Sequence, residues 1–509
     1  MPRPRPASSE TAAESALADE LRTVRPGLPA PYADALPSAR AAVLTRLWRG
    51  LTLDPLPWIS GQEPAGEGLT LRLADGRRLH GPRPDPYATA AYVSRLDLDG
   101  VEYDHPARLV RALARDTDTG PLLAFATELD HSVASLALSL AGQPAKEGPP
   151  ATAWEWEQRV VDGHPYHPNC RSRPGFSVAE QLAYAPEHRP VVELRLVPAG
   201  EDATVRGAWP DRFRDDEGRV LIPVHPWQSA HVLHRTGELP FSTHPLMSLR
   251  TLAVPGGPHI KTALTARLTS SVRDISVGSV ETSTLVSDFA EVFAARTDGL
   301  LHITRTLGAA TDGTPDLAAV VREAPEVYAA PGEQVVPVAA LATTDIPQSP
   351  SWMAEFARLT LTVGLRLLDL GVALEAHGQN LLVVLSASGA PVRLVYRDLA
   401  DIRVSPARLA RHGVPAPALS PRMITDDETT LRSKLFGSLI AGTLGATAAS
   451  TPALAKALHA AVGDLPQTPD LTALKTTPIP AKALTRMRLS TEPGDIWTTL
   501  PNPLTQQDH

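Results

Sequence analysis

The sequence predicts an α+β protein in three stretches, 1–150, 151–335 and 336–509. Three observations carry that expectation. Apolar residues recur at helical spacing through most of the first stretch, short β-branched runs separated by turn residues fill the second, and the third combines long amphipathic segments with one hairpin pattern.

In the first stretch, "ALPSARAAVLTRLWRGL" and "HPARLVRALARDTDTGPLLAFATELDHSVASLALSLAG" predict helices. One strand pair is expected at "GLTLRLADGRRLHG", where apolar residues alternate around an Asp-Gly turn. "GQPAKEGPPAT" (142–152) reads as a linker. The second stretch offers "RPVVELRLVPAG", "RVLIPVHPWQ", "LRTLAVPGG", "HIKTALTARLTSS" and "LLHITRTLG" as strands. Several meet through tight turns, which favours an antiparallel sheet. The third opens on "SPSWMAEFARLTLTVGLRLLDLG", a helix with Ser351 as N-cap and Gly371 just past its end. "NLLVVLSASGAPVRLVYRDL" predicts a hairpin around Ser-Gly. "LRSKLFGSLIAGTLGATAASTPALAKALHAAVG" is helical, and the closing "PGDIWTTLPNPLTQQDH" reads as irregular.

The net charge of −8 over 509 residues argues against a nucleic-acid surface, so any cationic site must be local. The single cysteine, Cys170, excludes an intramolecular disulfide and a Cys-pair zinc site. The N-terminus has no apolar stretch behind its arginines and no run approaches the roughly 20 apolar residues that cross a bilayer. A cytoplasmic protein without membrane contact is expected. Of 48 basic residues only six are lysines, and Lys261 stands alone between Lys146 and Lys434. A solitary lysine in an arginine-rich chain points to a site that wants a compact ammonium rather than a planar fork.

Three constellations carry chemistry. In "DGHPYHPNCRSRPGFS" (162–177), His164 and His167 each precede proline, which disfavours helix and predicts polyproline II, with side chains at i and i+3 pointing the same way. With Arg171 and Arg173 following, the segment suits a phosphate or carboxylate. Zinc on His164, His167 and Cys170 is the weaker reading for want of a spaced partner set, and a purely structural Pro-rich loop is the bland one. In 246–276, Ser248, Arg250, Thr251, Lys261, Thr269, Ser270 and Arg273 gather hydroxyls and cations that suit a polyphosphate, with no Gly-rich P-loop. Lys261 is expected on the polar face of a strand whose other face is core. In "LEAHGQNLLVVLSASGAPVRLVYRDL" (374–399), Glu375, Asn380 and Asp398 flank one hairpin, an order similar to the Mg²⁺-holding Asn and Asp of protein kinases.

Taken in order, "GHPYHPNCRSRPGF", "HPWQ", "SLRT", "K…LTSSVR", "EAHGQNLLV" and "YRDL" resemble the NRPS-independent siderophore synthetases, the IucA/IucC-like enzymes. The resemblance covers about residues 150–440, and "NPL" (502–504) continues it. It implies a cupped-hand architecture: a helical thumb, fingers holding an antiparallel sheet, and a palm with helices and a smaller sheet. It further implies ATP and Mg²⁺ as cofactors, adenylation of a carboxylic acid such as citrate, and displacement of AMP by an amine, hydroxylamine or alcohol. On this resemblance Lys261, Arg273, His377 and His167 form the catalytic set. Ser248, Arg250, Thr251, Thr269, Ser270, Gln379, His164, Arg171 and Arg173 bind ATP or the acid, and Glu375, Asn380 and Asp398 organise Mg²⁺. A homodimer is also implied. The chain departs from the family pattern at Arg171, where lysine is usual, and at Gly442 and Thr443, where an Asn-His pair is common. A kinase-like phosphotransferase and a non-catalytic siderophore- or polycarboxylate-binding protein are the alternatives.

Overall fold

The computed structural model describes residues 10–114, 119–145, 148–268, 271–346, 349–492 and 494–505. Helices Ala12–Val24, Pro29–Leu53, Pro106–Leu113 and Thr119–Ala141 bury Leu21, Leu44, Trp48 and Phe125 in one core. Beside them five consecutive strands, Ile59–Ala65, Gly68–Leu73, Arg78–Pro82, Leu96–Leu98 and Val101–Tyr103, form an antiparallel meander. The sequence predicts only the central pair. "ISGQEPA" alternates between half-buried and exposed positions and never becomes fully buried, so it carries no apolar stripe to read.

The middle of the chain builds an eight-stranded antiparallel sheet. Its spatial order is Thr204–Gly207, Thr306–Thr311, Ala318–Arg322, His259–Thr262, Thr251–Ala253, Glu238–Pro245, Val192–Pro198 and Leu221–Val224. "HIKTALTARLTSS" is not one strand. His259–Thr262 stays in the sheet, whereas Leu264–Leu268 leaves it to pair with Ser271–Arg273. Gln228 draws the chain off: its Oε1 accepts from the Thr265 N–H at 2.7 Å and its Nε2 donates to Thr265 Oγ1 at 3.0 Å. "LLHITRTLG" also divides. Thr306–Thr311 returns to the large sheet, while Leu301–Ile303 pairs in parallel with Pro391–Tyr396.

That parallel pair begins a four-stranded sheet ordered Leu301–Ile303, Pro391–Tyr396, Leu381–Leu385 and Gln334–Pro337. The expected hairpin around Ser388-Gly389 is its centre. Helix Pro350–Leu370 buries Trp352, Met353 and Phe356 and stops at Gly371, whose φ of 107° suits glycine and whose N–H closes on Leu367 O and Leu368 O. Its N-cap position is Ser349 rather than Ser351. The C-terminal helical region contains a π-helical stretch, Gly437–Leu444. The tail is partly regular, since Trp497–Leu500 pairs with Ile479–Lys482. No described helix is long and apolar enough to cross a membrane.

The first and last parts of the chain are clasped. Thr498 Oγ1 donates to Leu53 O at 2.6 Å, and Asp54 Oδ2 accepts from the N–H groups of Thr485 and Arg486 at 2.8 and 3.1 Å. Burial raises the Asp54 pKa from 3.8 to about 6, against the pull of these N–H groups and Arg49. The folded chain therefore keeps this proton up to about pH 6 while the unfolded chain releases it near 4, so this group's stabilisation is lost as pH rises through that window. Asp54→Asn, which never ionises, is expected to flatten the pH dependence of melting between pH 4 and 6. It should also raise stability at pH 7.5 by about 1–3 kcal/mol; an unchanged melting curve would rule this out.

Candidate active site

Lys261 sits on the strand His259–Thr262, one of the central strands of the large sheet, and that strand is buried on both faces. The side chain does not lie on a solvated face as its alternation suggests. It crosses toward the four-stranded sheet, where Nζ donates to both carboxylate oxygens of Asp398 at 2.9 Å. Arg322, at the end of the neighbouring strand Ala318–Arg322, donates to Asp398 Oδ1 at 3.2 Å. Asp398 follows the strand Pro391–Tyr396 in a left-handed conformation, φ 69°, and this turn brings its backbone out of the sheet. Burial opposes ionisation of Asp398, but Lys261, Arg322 and Arg250 overcome it and hold the carboxyl well below its usual range. Burial drives Lys261 down to about 7; Asp398 opposes this, and Arg250 and Arg322 add to it.

The turn between Pro245 and Thr251 supplies Arg250. Leu249 is left-handed there, φ 62°, and Ser248 Oγ accepts from the Thr251 N–H at 3.1 Å. Thr251 stands opposite Lys261 in the ladder. Arg250 donates to the carbonyls of Arg273 and Asp274 at 2.8 and 2.5 Å, tying this turn to the hairpin that ends in Arg273. Burial lowers the Arg250 pKa to about 10. Arg273 is lowered by burial too, while the charges of Asp398 and Glu375 raise it. Lys261 and Arg322 thus touch the one carboxylate of Asp398, and the charges of Arg250 and Arg273 act on it from nearby. Thr269 and Ser270 lie outside the described residues.

The His-Pro segment curls rather than running as polyproline II. His164 Nδ1 accepts from the N–H groups of Tyr166 and His167 at 3.2 and 3.1 Å, and His167 Nδ1 accepts from Asn169 N–H at 3.0 Å. The two rings still meet, edge to face with centroids 6.0 Å apart. Burial, with Arg273 and Arg46 nearby, lowers His167 to about 4. Arg46, which the motif reading missed, holds the segment from helix Pro29–Leu53 by donating to His164 O and Asp162 O at 3.0 and 3.2 Å.

Arg171 and Arg173 need a correction. Both are buried, and both face Glu187, which has no exposed surface. Arg173 reaches the Glu187 carboxylate at 2.7 and 3.0 Å, and Arg171 donates to Val161 O at 2.7 Å and to Val160 O. Both guanidinium groups pair with this internal carboxylate, an arrangement that braces the loop. Cys170 is buried beside Ser132 and belongs to the same packed wall.

On the other side of the hairpin, His377 Nδ1 accepts from Gln379 N–H at 3.3 Å, and burial lowers its pKa. Gln379 O receives two N–H bonds from Arg397, at 3.0 and 2.8 Å. Asn380 is buried and its Nδ2 donates to Glu375 O at 3.3 Å. Glu375 Oε1 is held by Lys434 at 3.0 Å and Lys482 at 2.8 Å. The trio expected to organise Mg²⁺ therefore does not form an open oxygen cage. Asp398 and Glu375 are each neutralised by two cations, and among the described residues no group of three His, Cys, Asp or Glu side chains is arranged to hold a metal ion.

The IucA/IucC family model matches residues 152–343, and one described as ferric iron reductase FhuF-like transporter matches 350–495. Citryl-spermidine/3,4-dihydroxybenzoyl-citryl-spermidine:spermidine ligase of Bacillus anthracis is 24% identical over 311 residues, 48% of this chain and 50% of that protein. D-ornithine–citrate ligase of Staphylococcus aureus is 23% identical over 374 residues, 57% and 56% of the two chains. The chain thus spans about half the length of these curated relatives. The fold matches the petrobactin biosynthesis protein AsbB of Bacillus anthracis with a TM-score of 0.77 at 18% identity, over 97% of this chain and 98% of that one. It matches ATP-bound aerobactin synthetase IucA of Klebsiella pneumoniae with a TM-score of 0.69 at 20% identity, over 92% and 100%.

The buried Glu187 cluster makes a separate prediction. Arg173→Ala leaves the Glu187 carboxylate short of a partner, and breaking such a pair costs about 3–5 kcal/mol. Thermal or urea unfolding should show that loss without any ligand. An unchanged melting temperature with a weakened ligand affinity would return Arg173 to the binding set.

Proposed function

We propose that the chain is a member of the IucA/IucC family, whose model matches residues 152–343, and that it is an ATP-dependent siderophore synthetase. It would adenylate a carboxylic acid (citrate or a mono-substituted dicarboxylate) and join the acyl group to an amine, hydroxylamine or alcohol. The observation that carries this reading is Asp398 held in ion contact by both Lys261 and Arg322, with the charges of Arg250 and Arg273 close by. Such a concentration of buried cationic groups suits a polyanion, and the relatives' names supply citrate with spermidine or ornithine as chemistry of the same class.

The acid's carboxylate attacks the α-phosphorus, the bond to pyrophosphate breaks, and an acyl-adenylate forms. The nucleophile then adds to the acyl carbonyl, loses a proton and expels AMP. Both reactants of the first step are anions that repel. The four cations would screen that repulsion and stabilise charge on the transferring phosphorus in a site shielded from water. Ser248 and Thr251 would fix the turn that aims Arg250, and His164, His167, His377 and Gln379 would face the acid and the acyl group. No protein nucleophile is required. Mg²⁺ is proposed only as the nucleotide's companion ion, where bound to phosphate oxygens it would lower their charge; no step here is assigned through it. A cytoplasmic location, a homodimer and the three-part division at 150 and 335 belong to the same proposal.

Acid-dependent release of AMP and pyrophosphate, and an acyl hydroxamate when hydroxylamine is added, are expected. ADP and phosphate as the acid-dependent products would replace this reading with phosphotransfer. Lys261→Ala should lower turnover by about 10²–10³-fold, the range for loss of one transition-state charge partner, while the protein stays folded. Near-normal kinetics of that variant would remove Lys261 from the site. Because Lys261 in the free protein titrates near 7, its charge is lost as pH rises through that value. ATP affinity measured by calorimetry should therefore weaken above pH 7. Lys261→Arg, charged throughout, should abolish that break; persistence of the break would assign it elsewhere.

A further inference from the structure

Glu157 is completely buried, yet nothing above gives it a role. It lies on the short helix Ala153–Gln158, which is firmly placed. Thr152 and Glu155 form a capping box at its start, Trp154 stacks on His244 with ring centroids 3.9 Å apart, and Trp156 is buried. Glu157 uses its two oxygens in different directions. Oε1 accepts from Arg397 Nη1 at 2.6 Å, and Oε2 accepts from the Met247 N–H at 2.9 Å.

Those two partners stand at the roots of the two halves of the site. Met247 follows the strand Glu238–Pro245 of the large sheet and precedes Ser248 and Arg250. Arg397 follows the strand Pro391–Tyr396 of the smaller sheet and directly precedes Asp398. Arg397 also gathers the 377–380 turn through its two bonds to Gln379 O and through its own N–H on Asn380 O at 3.0 Å. One carboxylate therefore ties the turn that carries Arg250 to the turn that carries Asp398, across two separate sheets. A buried carboxylate with both oxygens so engaged has little freedom to move.

We propose that Glu157 is a positioning residue that sets the spacing between the Arg250 turn and the Asp398 turn, acting through Arg397 and the Met247 amide. Its catalytic consequence rests on the synthetase reading given above; its structural consequence does not. A spacing error of about 1 Å at a reacting site can cost on the order of 10²-fold in rate, so Glu157 would matter to chemistry it never touches.

The test is a cycle of Glu157→Gln, Arg397→Gln and the double variant, with kcat and KM for ATP from acid-dependent pyrophosphate release. Amide exchange at Thr251 and Arg397 is followed in parallel. Each single change should lower kcat/KM by about 10–100-fold, with KM for ATP raised. The double variant should be no worse than the worse single, as for residues acting through one contact. Exchange at Thr251 and Arg397 should quicken together in Glu157→Gln. Multiplying losses, unchanged kcat/KM, or exchange that quickens in one turn only would overturn the proposal. If a single variant fails to fold because a buried charge is left alone, the double variant removes both charges and is compared with the wild type; wild-type kinetics there would overturn the role. If the wild-type chain turns over no ATP with any acid, the synthetase reading fails, and the exchange measurement alone decides on the clamp.

Discussion

Lys261 and Asp398 meet across two sheets, 137 residues apart in the chain, and the arrangement of the site follows from that contact. Lys261 comes from one of the central strands of the large sheet and is largely withdrawn from water, with 8% of its side chain exposed. An ammonium so placed must have a partner or lose its proton, and its lowered pKa shows both forces at work. Asp398 supplies the partner from a left-handed turn and keeps 29% of its side chain exposed. Arg322 pairs with the same carboxylate, and Arg250 and Arg273 place further positive charge near it. A ligand phosphate would compete with Asp398 for the same cations, so affinity depends on a difference between two anions rather than on the cations alone.

The second constraint is local and concerns histidine before proline. Proline holds the preceding residue extended, and at His105, His164, His167 and His225 the imidazole Nδ1 then accepts a backbone N–H two residues on, at 3.0–3.2 Å. At His105 and His225 the same bond caps a helix start. This turn chemistry explains why the 164–168 segment curls. It satisfies a backbone donor inside the chain, where a polyproline II segment would leave that N–H to solvent.

Residues grouped in short motifs were legible, because a turn or hairpin brings neighbours in sequence together. Ser248, Arg250 and Thr251 share one turn, and His377 and Asn380 share another. Arg322, Arg46 and Glu157 were not legible: each acts on a partner 76, 118 or 240 residues away, and nothing in its immediate neighbourhood marks it. Arg171 and Arg173 were misread because a guanidinium fork fits a buried glutamate as well as a ligand carboxylate. The scarcity of lysine is itself a signal. Lys261, Lys434 and Lys482 are three of the six lysines, and all three bind the carboxylates of the site. The five-stranded meander and the tail strand escaped because half-buried edge strands need no apolar alternation.

The placement of protons follows from the same contacts. With Nδ1 of His167 and His377 occupied as an acceptor, a neutral ring carries its hydrogen on Nε2. Burial keeps both rings neutral, His167 down to about 4. Among the described residues, His167 Nε2 has no hydrogen-bond partner although it is buried. Its Nε2 hydrogen is therefore a buried donor that no described residue accepts. Asp398 stays ionised, its pKa held well below the usual range. Lys261, at about 7, is then a group of this site whose charge changes near neutral pH. Division of labour follows from these states: neutral imidazoles can donate to an anion without adding to the crowding of positive charge, and the balance of that charge rests on one lysine.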